Sequence, residues 1–172
     1  VRQADIAPGL YRAVTGSEAL AWGLAAGTKL ADLRLVLASY PITPASNLLH
    51  ILAGMKQFDV VTFQAEDEIA AVCAAIGASF AGSLGLTTSS GPGVALKGEA
   101  IGLAIGAELP LIVVNVQRAG PSTGMPTKTE QSDLNLAVFG GSGDAQRIVL
   151  APTNVEGCWR CAGKAFEMAE RY

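Results

Sequence analysis

The sequence predicts a three-layer α/β/α fold in which a mostly parallel sheet lies between two layers of helices. Apolar, β-branched segments alternate with longer helical segments along the 172 residues. A helix, not a tight turn, follows most of these strands, which favours parallel pairing because parallel strands need a long crossover. Half of the residues are apolar and only 16% are charged, a composition that suits a full core and excludes a disordered chain.

The elements follow from β-branched runs, caps and turn residues taken in chain order. Strands are predicted at 33–38, 59–63, 84–88, 109–116 and 147–150. Helices are predicted at 17–26, from 44 onwards, at 67–81, from about 93 to 107, at 133–139 and at 153–171. A polar, turn-rich segment at 117–132 follows the strongest strand.

The predicted helix starts and ends depend on a few residues. Thr15 and Glu18 form a capping-box pattern, and Gly27 is a natural stop for the helix that follows. Thr43 is expected to cap the next helix, with Pro44 at its first position, where a missing N–H costs nothing. The last helix is expected to begin after Thr153 or Asn154.

Composition excludes several classes of function. The net charge of −3 argues against a nucleic-acid partner, because phosphate binding needs a basic surface. No apolar run reaches the length of a membrane span; the longest, 101–107, contains glycines and lies between Glu99 and Glu108. No secretory signal pattern opens the sequence, and together with three cysteines this favours the cytoplasm. Cys158 and Cys161 are interpreted as ordinary helix cysteines, since a closed zinc site needs four ligands.

Three polar blocks each follow a predicted strand. They are Tyr40-Pro41-Ile42-Thr43-Pro44, Gln64-Ala65-Glu66-Asp67-Glu68 and the segment from Arg118 to Gly124. In a parallel sheet the carboxyl ends of the strands share one edge, and ligands bind in the crevice there. Hydroxyl, carboxylate and guanidinium groups at this edge suit a small acidic substrate and a cofactor that gains and loses a proton.

Each block also has a purely structural interpretation. Acidic residues at a helix start stabilise the helix dipole by about 0.3–1 kcal/mol each, which accounts for one or two of Glu66, Asp67 and Glu68. Arg118 is either a surface residue at a strand end or a planar fork for a carboxylate. Ser90-Gly91-Pro92-Gly93 is either a tight turn or backbone brought close to a ligand; it lacks the Gly-Lys-Ser/Thr of a phosphate-binding loop.

Four blocks in register resemble the α subunit of 2-oxoacid:ferredoxin oxidoreductases. They are Tyr40–Pro44, Glu66–Ala71, Thr88–Gly93 and Gln117–Leu134, and they cover nearly the whole chain in order. The resemblance implies the pyrimidine-binding domain of a thiamine diphosphate enzyme, extending over residues 1–172 as one domain of a longer subunit. It implies the 2-oxoglutarate type more than the pyruvate or branched-chain types.

In such domains a glutamate opens a helix and reaches N1′ of the cofactor's aminopyrimidine, and a glycine follows nine residues later. Glu68 has Gly77 at that spacing and Glu66 does not, so Glu68 is the expected acid/base and Glu66 the alternative. The resemblance implies that Thr43 and Arg118 face the substrate carboxylate. The implied cofactor-binding residues are Glu68, Tyr40, Pro41, Ile42, Thr43, Ser90, Gly91, Pro92 and Gly93.

The residues for the rest of the cofactor are missing from the sequence. It has neither the Gly-Asp-Gly pattern that similar enzymes use for Mg²⁺ and diphosphate nor the four cysteines of an iron–sulfur cluster. The resemblance therefore implies a β subunit that carries the diphosphate site, Mg²⁺ and clusters, in a dimer of heterodimers. Coenzyme A and ferredoxin would be the further partners, and no metal is expected in this chain.

Two other functions stay open. A non-oxidative thiamine diphosphate decarboxylase would need no ferredoxin. A non-catalytic, flavodoxin-like binding module would need neither Glu68 nor Arg118.

A further pattern concerns packing. Gly98, Gly102 and Gly106 lie on one helix face and predict close packing against this domain's own sheet or against another subunit.

Overall fold

The computed structural model describes residues 5–172 and contains a four-stranded sheet whose neighbouring strands are all parallel. The strand order is β2-β1-β3-β4. The strands are β1 (Leu35–Ser39), β2 (Val60–Gln64), β3 (Leu84–Ser89) and β4 (Leu111–Asn115). From β1 the chain first adds β2 on one side and then returns to add β3 and β4 on the other side, so the strand order reverses between β1 and β3. The predicted parallel α/β fold is confirmed.

Seven α-helices surround this sheet within the described residues. They are α1 (Gly16–Ala31), α2 (Ser46–Ala53), α3 (Glu68–Phe80), α4 (Gly91–Leu96), α5 (Gly98–Gly106), α6 (Leu134–Phe139) and α7 (Val155–Arg171). A short 3₁₀ turn at Lys56–Phe58 precedes β2. No helix in this part of the chain combines the length and apolar character needed to cross a membrane.

Helices cover both faces of the inner strands β1 and β3, as parallel strands require. The edge strand β2 is open on one face, where Val61 and Phe63 are exposed. On one face, leucines of β1 and β3 pack against α1, α2 and α7, with Leu24, Leu52 and Phe166 among the buried residues. On the other face, Val72 and Ile76 of α3 contact Ala104 of α5. The central strand β3 is fully buried along its length, which fixes the position of its carboxyl end.

The first helix is longer than the sequence predicted. The capping box of Thr15 and Glu18 is present, but α1 continues through Gly27 and ends before Asp32, which has a left-handed φ of 52°. Gly27 serves packing instead of termination: a Cβ there would lie 2.8 Å from the ring of Phe166 on α7. Gly27 thus brings α7 close to α1.

Three other element predictions were wrong. The helix expected from 93 to 107 is divided into α4 and α5, which meet at Lys97. The segment 147–150 forms no strand, and its apolar side chains stay exposed without a neighbouring strand to pair with. Thr43 caps no helix, because α2 begins only at Ser46.

The glycines of α5 do not pack against another element of the described residues 5–172. A Cβ added at Gly98, Gly102 or Gly106 would meet nothing within 4 Å. This finding contradicts close packing on the domain's own sheet and leaves contact with another subunit as the prediction that remains.

Candidate functional site

The carboxyl ends of all four strands meet at one edge, and the first polar block begins there with Tyr40. Its side chain is only 6% exposed, and its hydroxyl forms a 2.9 Å hydrogen bond with the hydroxyl of Ser89 at the end of β3. Ser39 and Thr88, one residue earlier on the same two strands, also share a hydrogen bond. These hydroxyl pairs join β1 to β3 at the point where the strand order reverses, which is where open α/β sheets bind ligands.

The acidic cluster divides into three different environments at the start of α3. Asp67 is the N-cap: its Oδ1 accepts hydrogen bonds from the backbone N–H groups of Ile69 and Ala70, at 2.9 and 2.8 Å. Glu66 is exposed, whereas Glu68 is half-buried. Within residues 5–172 the Glu68 carboxylate has no hydrogen bond or ion pair. Asp67 therefore accounts for the helix start, and Glu68 is left available for another partner.

Arg118, three residues beyond β4, reaches the first polar block. Its side chain is 7% exposed, and Nη1 donates a 2.8 Å hydrogen bond to the backbone oxygen of Thr43. Its Nε is buried without a partner in the described chain. The structure thus brings Arg118 and Thr43 together, but through the backbone carbonyl of Thr43 and not through its hydroxyl.

The glycines after β3 are surrounded by side chains of this chain. A Cβ at Gly91 would lie 2.5 Å from Oδ1 of Asp133, and one at Gly93 would overlap the hydroxyls of Tyr40 and Ser89. The Oγ of Ser90 is buried and makes no hydrogen bond within the described residues. The two glycines are thus required for packing inside the domain, and contact of this segment with a cofactor stays a prediction.

Asp133, which the sequence did not single out for the site, anchors the far end of the polar segment 117–132. It is 8% exposed, and its carboxylate accepts hydrogen bonds from Asn115 Nδ2 at 3.2 Å and Ser132 Oγ at 3.1 Å. Its backbone N–H donates to Oε1 of Gln117 at 3.0 Å. These bonds tie both ends of the segment to the carboxyl end of β4.

Lys97 is a second residue that the sequence interpretation missed. It lies between α4 and α5 and is fully buried, and its Nζ donates to Oγ1 of Thr87 at 2.6 Å. A longer bond of 3.4 Å reaches the backbone oxygen of Thr88, and Nζ lies 5.4 Å from the centre of the Tyr40 ring. A signal was present in the sequence: Lys97 lies in the same helical stripe as Val94, Ile101 and Ala104, all of them buried.

The electrostatics show that these groups share one region. Burial lowers the pKa of Lys97 to about 8, an effect that the negative charge of Glu68 partly opposes. Burial raises the pKa of Tyr40; the bond to Ser89 lowers it, Glu68 raises it and Arg118 lowers it. Side chains from the carboxyl ends of the four strands therefore lie close enough to act on each other at one edge of the sheet.

Some predicted site residues have less to contribute. Pro41 and the side chain of Thr43 are exposed, and Ile42 is half-buried against Tyr40, Ala65 and Ala71. In residues 5–172 no three His, Cys, Asp or Glu side chains converge as metal ligands.

Thiamine diphosphate fits this edge at its aminopyrimidine end. An uncommitted carboxylate can accept from a ring nitrogen, and the buried hydroxyl of Ser90 has an unused donor and acceptor. The diphosphate end has no corresponding group here, since the sequence lacks the Gly-Asp-Gly pattern that similar enzymes use for Mg²⁺ and diphosphate.

The doubly wound parallel fold and the charged groups at the carboxyl edge of its sheet are typical of a cofactor-binding α/β domain. The sequence profile of the family described as pyruvate flavodoxin/ferredoxin oxidoreductase, thiamine diphosphate-binding, matches residues 27–172, and the chain belongs to this family. The membership suggested by the four sequence blocks is thereby confirmed.

Relatives and a solved structure are similar over most of the chain. The 2-oxoglutarate oxidoreductase subunit KorA of Mycobacterium tuberculosis is 53% identical over 98% of this chain and 26% of its own length. The ketoisovalerate oxidoreductase subunit VorB of Methanothermobacter thermautotrophicus is 44% identical over 77% of this chain and 38% of its own length. The solved 2-oxoglutarate:ferredoxin oxidoreductase of Magnetococcus marinus, with 2-oxoglutarate, coenzyme A and succinyl-CoA bound, has a TM-score of 0.83 at 44% identity. That match covers 92% of this chain and 27% of the solved chain. The present chain therefore spans about a quarter of the first relative and of the solved chain.

Proposed function

We propose that this chain forms the aminopyrimidine-binding half of the thiamine diphosphate site in a 2-oxoacid:ferredoxin oxidoreductase. One observation supports this assignment above the others. Asp67 caps α3 with two hydrogen bonds, while the neighbouring Glu68 is half-buried with its carboxylate uncommitted beside the crevice. A cap accounts for one acidic residue, and the second is available for proton exchange.

In this proposal Glu68 shares a proton with N1′ of the aminopyrimidine, and Glu66 is the alternative residue for this role. Tyr40, Ile42, Thr43 and the segment Ser90–Gly93 line the ring, with Pro41 fixing the turn after β1. The bound cofactor supplies the electron sink for loss of CO₂ from a 2-oxoacid, while the protein orients and tunes it. Glu68 acts as a general acid/base that exchanges a proton with N1′ of the aminopyrimidine ring.

The substrate carboxylate is assigned to Arg118 and Thr43. One guanidinium nitrogen of Arg118 is occupied by the Thr43 carbonyl, and the buried Nε has no partner in the described chain. The unused nitrogens have the planar geometry that suits a carboxylate. Thr43 adds an exposed hydroxyl beside them.

The remaining parts of the enzyme are assigned to partners. A β subunit would supply the diphosphate site with Mg²⁺ and an iron–sulfur cluster, in a dimer of heterodimers. Coenzyme A would accept the acyl group and ferredoxin the electrons. Three free cysteines fit a reducing cytoplasm as the location.

The proposed substrate is 2-oxoglutarate, with pyruvate and branched-chain 2-oxoacids as alternatives. The 53% identity to the mycobacterial 2-oxoglutarate oxidoreductase subunit supports the first, and the 44% identity to the ketoisovalerate subunit keeps a branched-chain 2-oxoacid as the alternative. 2-Oxoglutarate has a second carboxylate, at C5. Residues of another domain would have to bind it, since Arg118 is assigned to the carboxylate at C1.

The test is an assay of the complete α subunit with its co-purifying partner. Reduction of ferredoxin is measured with 2-oxoglutarate, pyruvate and 2-oxoisovalerate, with and without coenzyme A. We expect 2-oxoglutarate and coenzyme A to be required together. Release of CO₂ without electron transfer would favour the non-oxidative decarboxylase, and failure of the assembled protein to bind thiamine diphosphate would favour the binding module.

A further inference from the structure

The carboxylate of Asp133 is buried and does not serve the helix that it precedes. Asp133 is the N-cap residue of α6, a position where an aspartate ordinarily accepts hydrogen bonds from the first N–H groups of the helix. Here the side chain makes no such bond. The residue is only 8% exposed and forms no ion pair within residues 5–172. Burying a carboxylate without an ion-pair partner is costly, so its position points to a role other than starting α6.

The carboxylate instead joins three segments at the carboxyl edge of the sheet. It accepts hydrogen bonds from Nδ2 of Asn115, the last residue of β4, at 3.2 Å and from Oγ of Ser132 at 3.1 Å. Gly91, the first residue of α4, leaves room for it, because a Cβ there would lie 2.5 Å from Oδ1. The place of this carboxylate is therefore built by residues of β4, of the polar segment 117–132 and of α4.

Ser132 connects this carboxylate to Arg118. The Ser132 hydroxyl lies 3.0 Å from the backbone oxygen of Arg118 and 3.1 Å from Oδ1 of Asp133, and these two acceptors share its one proton. The backbone N–H of Asp133 donates to Oε1 of Gln117, the residue before Arg118, at 3.0 Å. The backbone at Arg118 is thus held at two neighbouring points.

Such support matters for an arginine that binds a carboxylate. The far end of the Arg118 side chain is fixed by the 2.8 Å bond from Nη1 to the backbone oxygen of Thr43. A planar guanidinium binds a carboxylate through two parallel hydrogen bonds, so the strength of binding depends on its position and orientation. Fixing both the backbone and the guanidinium also reduces the conformational entropy that is lost when a ligand is bound.

We propose that Asp133 is a positioning residue for Arg118: acting through Ser132, its buried carboxylate sets the backbone from which the guanidinium reaches the substrate carboxylate. The inference rests on the proposed function, in which Arg118 binds the C1 carboxylate of a 2-oxoacid. Asp133 itself touches no substrate. Its contact with Gly91 also holds the Arg118 loop at a fixed place relative to the segment Ser90–Gly93.

The test compares KM and kcat for 2-oxoglutarate in the assembled full-length enzyme. Ser132→Ala removes the hydroxyl and leaves Asp133 bonded to Asn115, so the chain should still fold. We expect KM to rise by about two- to tenfold, the size of one lost hydrogen bond, with kcat changed by less than about twofold. Ser132→Thr keeps a hydroxyl and should restore KM. Ser142→Ala, at an exposed serine, is the matched control and should leave KM unchanged.

Asp133 itself is tested by two substitutions. Asp133→Ala removes the acceptor of both Asn115 and Ser132 and should raise KM by at least as much as Ser132→Ala. Asp133→Asn keeps an acceptor for Asn115, and its amide can donate to Ser132 Oγ, which leaves the serine proton for the Arg118 oxygen; KM should stay within about twofold of the natural value. Asp144→Ala, at an exposed aspartate, is the control. If Asp133→Ala does not assemble, the Ser132 variants decide the test.

Ser132→Ala and Asp133→Ala are also made in an Arg118→Lys background. Because both residues act through the guanidinium, neither should raise KM further there. An unchanged KM in Ser132→Ala, an equal rise in both backgrounds, or a fall in kcat with KM unchanged would overturn the inference. The proposed function is tested separately: if Arg118→Lys alone leaves KM unchanged, Arg118 does not bind the substrate carboxylate, and the role of Asp133 fails with it.

Discussion

Arg118 and Thr43 are 75 residues apart in the sequence and are joined by a 2.8 Å hydrogen bond from the guanidinium to a backbone carbonyl. The bond crosses the carboxyl edge of the sheet, from the loop after β4 to the loop after β1. It leaves the remaining guanidinium nitrogens available and holds the arginine where an acidic substrate would be bound.

Arg118→Lys tests this arrangement. A lysine can replace either the bond to Thr43 or the contact with the substrate, but not both, because it offers a point charge instead of a planar fork. We expect KM for the 2-oxoacid to rise by about tenfold or more, with cofactor affinity nearly unchanged. Arg34→Lys, at an exposed ion pair with Asp59, is the matched control. An unchanged KM in Arg118→Lys would remove Arg118 from the substrate site.

The isolated chain should bind thiamine diphosphate weakly or not at all. It supplies residues for the aminopyrimidine end, and its sequence lacks the Gly-Asp-Gly pattern that similar enzymes use for Mg²⁺ and diphosphate. Calorimetry with the chain alone and with the complete assembly makes the comparison. A dissociation constant in the micromolar range for the chain alone would contradict this expectation.

Gly102→Leu tests the exposed glycine face of α5. Because a Cβ there meets no other element of residues 5–172 within 4 Å, the variant chain should fold normally. If another subunit packs on this face, the larger side chain should block assembly by overlap. Gel filtration of the complete enzyme gives the result, and Gly163→Leu on α7, also in open space, is the control. Full assembly of Gly102→Leu would show that no backbone approaches this face.

Much of the fold was predictable because it depends on local signals. The β-branched runs predict all four strands, and the capping-box pattern at Thr15 and Glu18 predicts the start of α1. The end of α1 was not predictable, since Gly27 lies inside the helix, where its missing side chain leaves room for Phe166 of a helix distant in sequence. The segment 147–150 has the right residues for a strand, but a strand also needs a pairing partner.

The candidate site was predictable in part for the same reason. The spacing from Glu68 to Gly77 is a local signal, and the loops after the strands follow from the parallel topology. The cap by Asp67 also follows from residue type, and it separates Glu68 from its neighbours. Asp133 and Lys97 were missed because their roles depend on contacts with Gly91, Thr87 and Tyr40 that only the folded chain creates.

Lys97 also predicts a pH dependence of stability. Burial lowers its pKa from 10.5 to about 8, so between these values the unfolded chain binds more protons than the folded one. The cost of burying the charge is therefore fully present below pH ~8 and is relieved as the pH rises towards ~10.5. Lys97→Met removes this cost at all pH values.

Thermal unfolding of the complete enzyme checks the sign. The Tm of the natural protein relative to that of Lys97→Met should increase between about pH 8 and 10. Lys56→Met serves as the control for general alkaline effects, since Lys56 is exposed. A difference in Tm that stays constant, or that decreases with pH, would contradict a buried lysine with a lowered pKa.

The central claim is that Glu68, and not Glu66, exchanges a proton with the cofactor. Glu68→Gln preserves shape and hydrogen bonding but cannot transfer a proton, and it should slow turnover by roughly 10²–10⁴. Glu66→Gln, at an exposed position beside the same helix, should cost only a few tenths of a kcal/mol, on the order of a helix-dipole contact.

Hydrogen–deuterium exchange at C2 of thiamine diphosphate bound to the complete enzyme measures this step directly. The proposed function predicts slow exchange in Glu68→Gln and nearly normal exchange in Glu66→Gln. Slow exchange in Glu66→Gln with normal exchange in Glu68→Gln would reverse the assignment, and normal exchange in both would contradict a catalytic role for this acidic cluster.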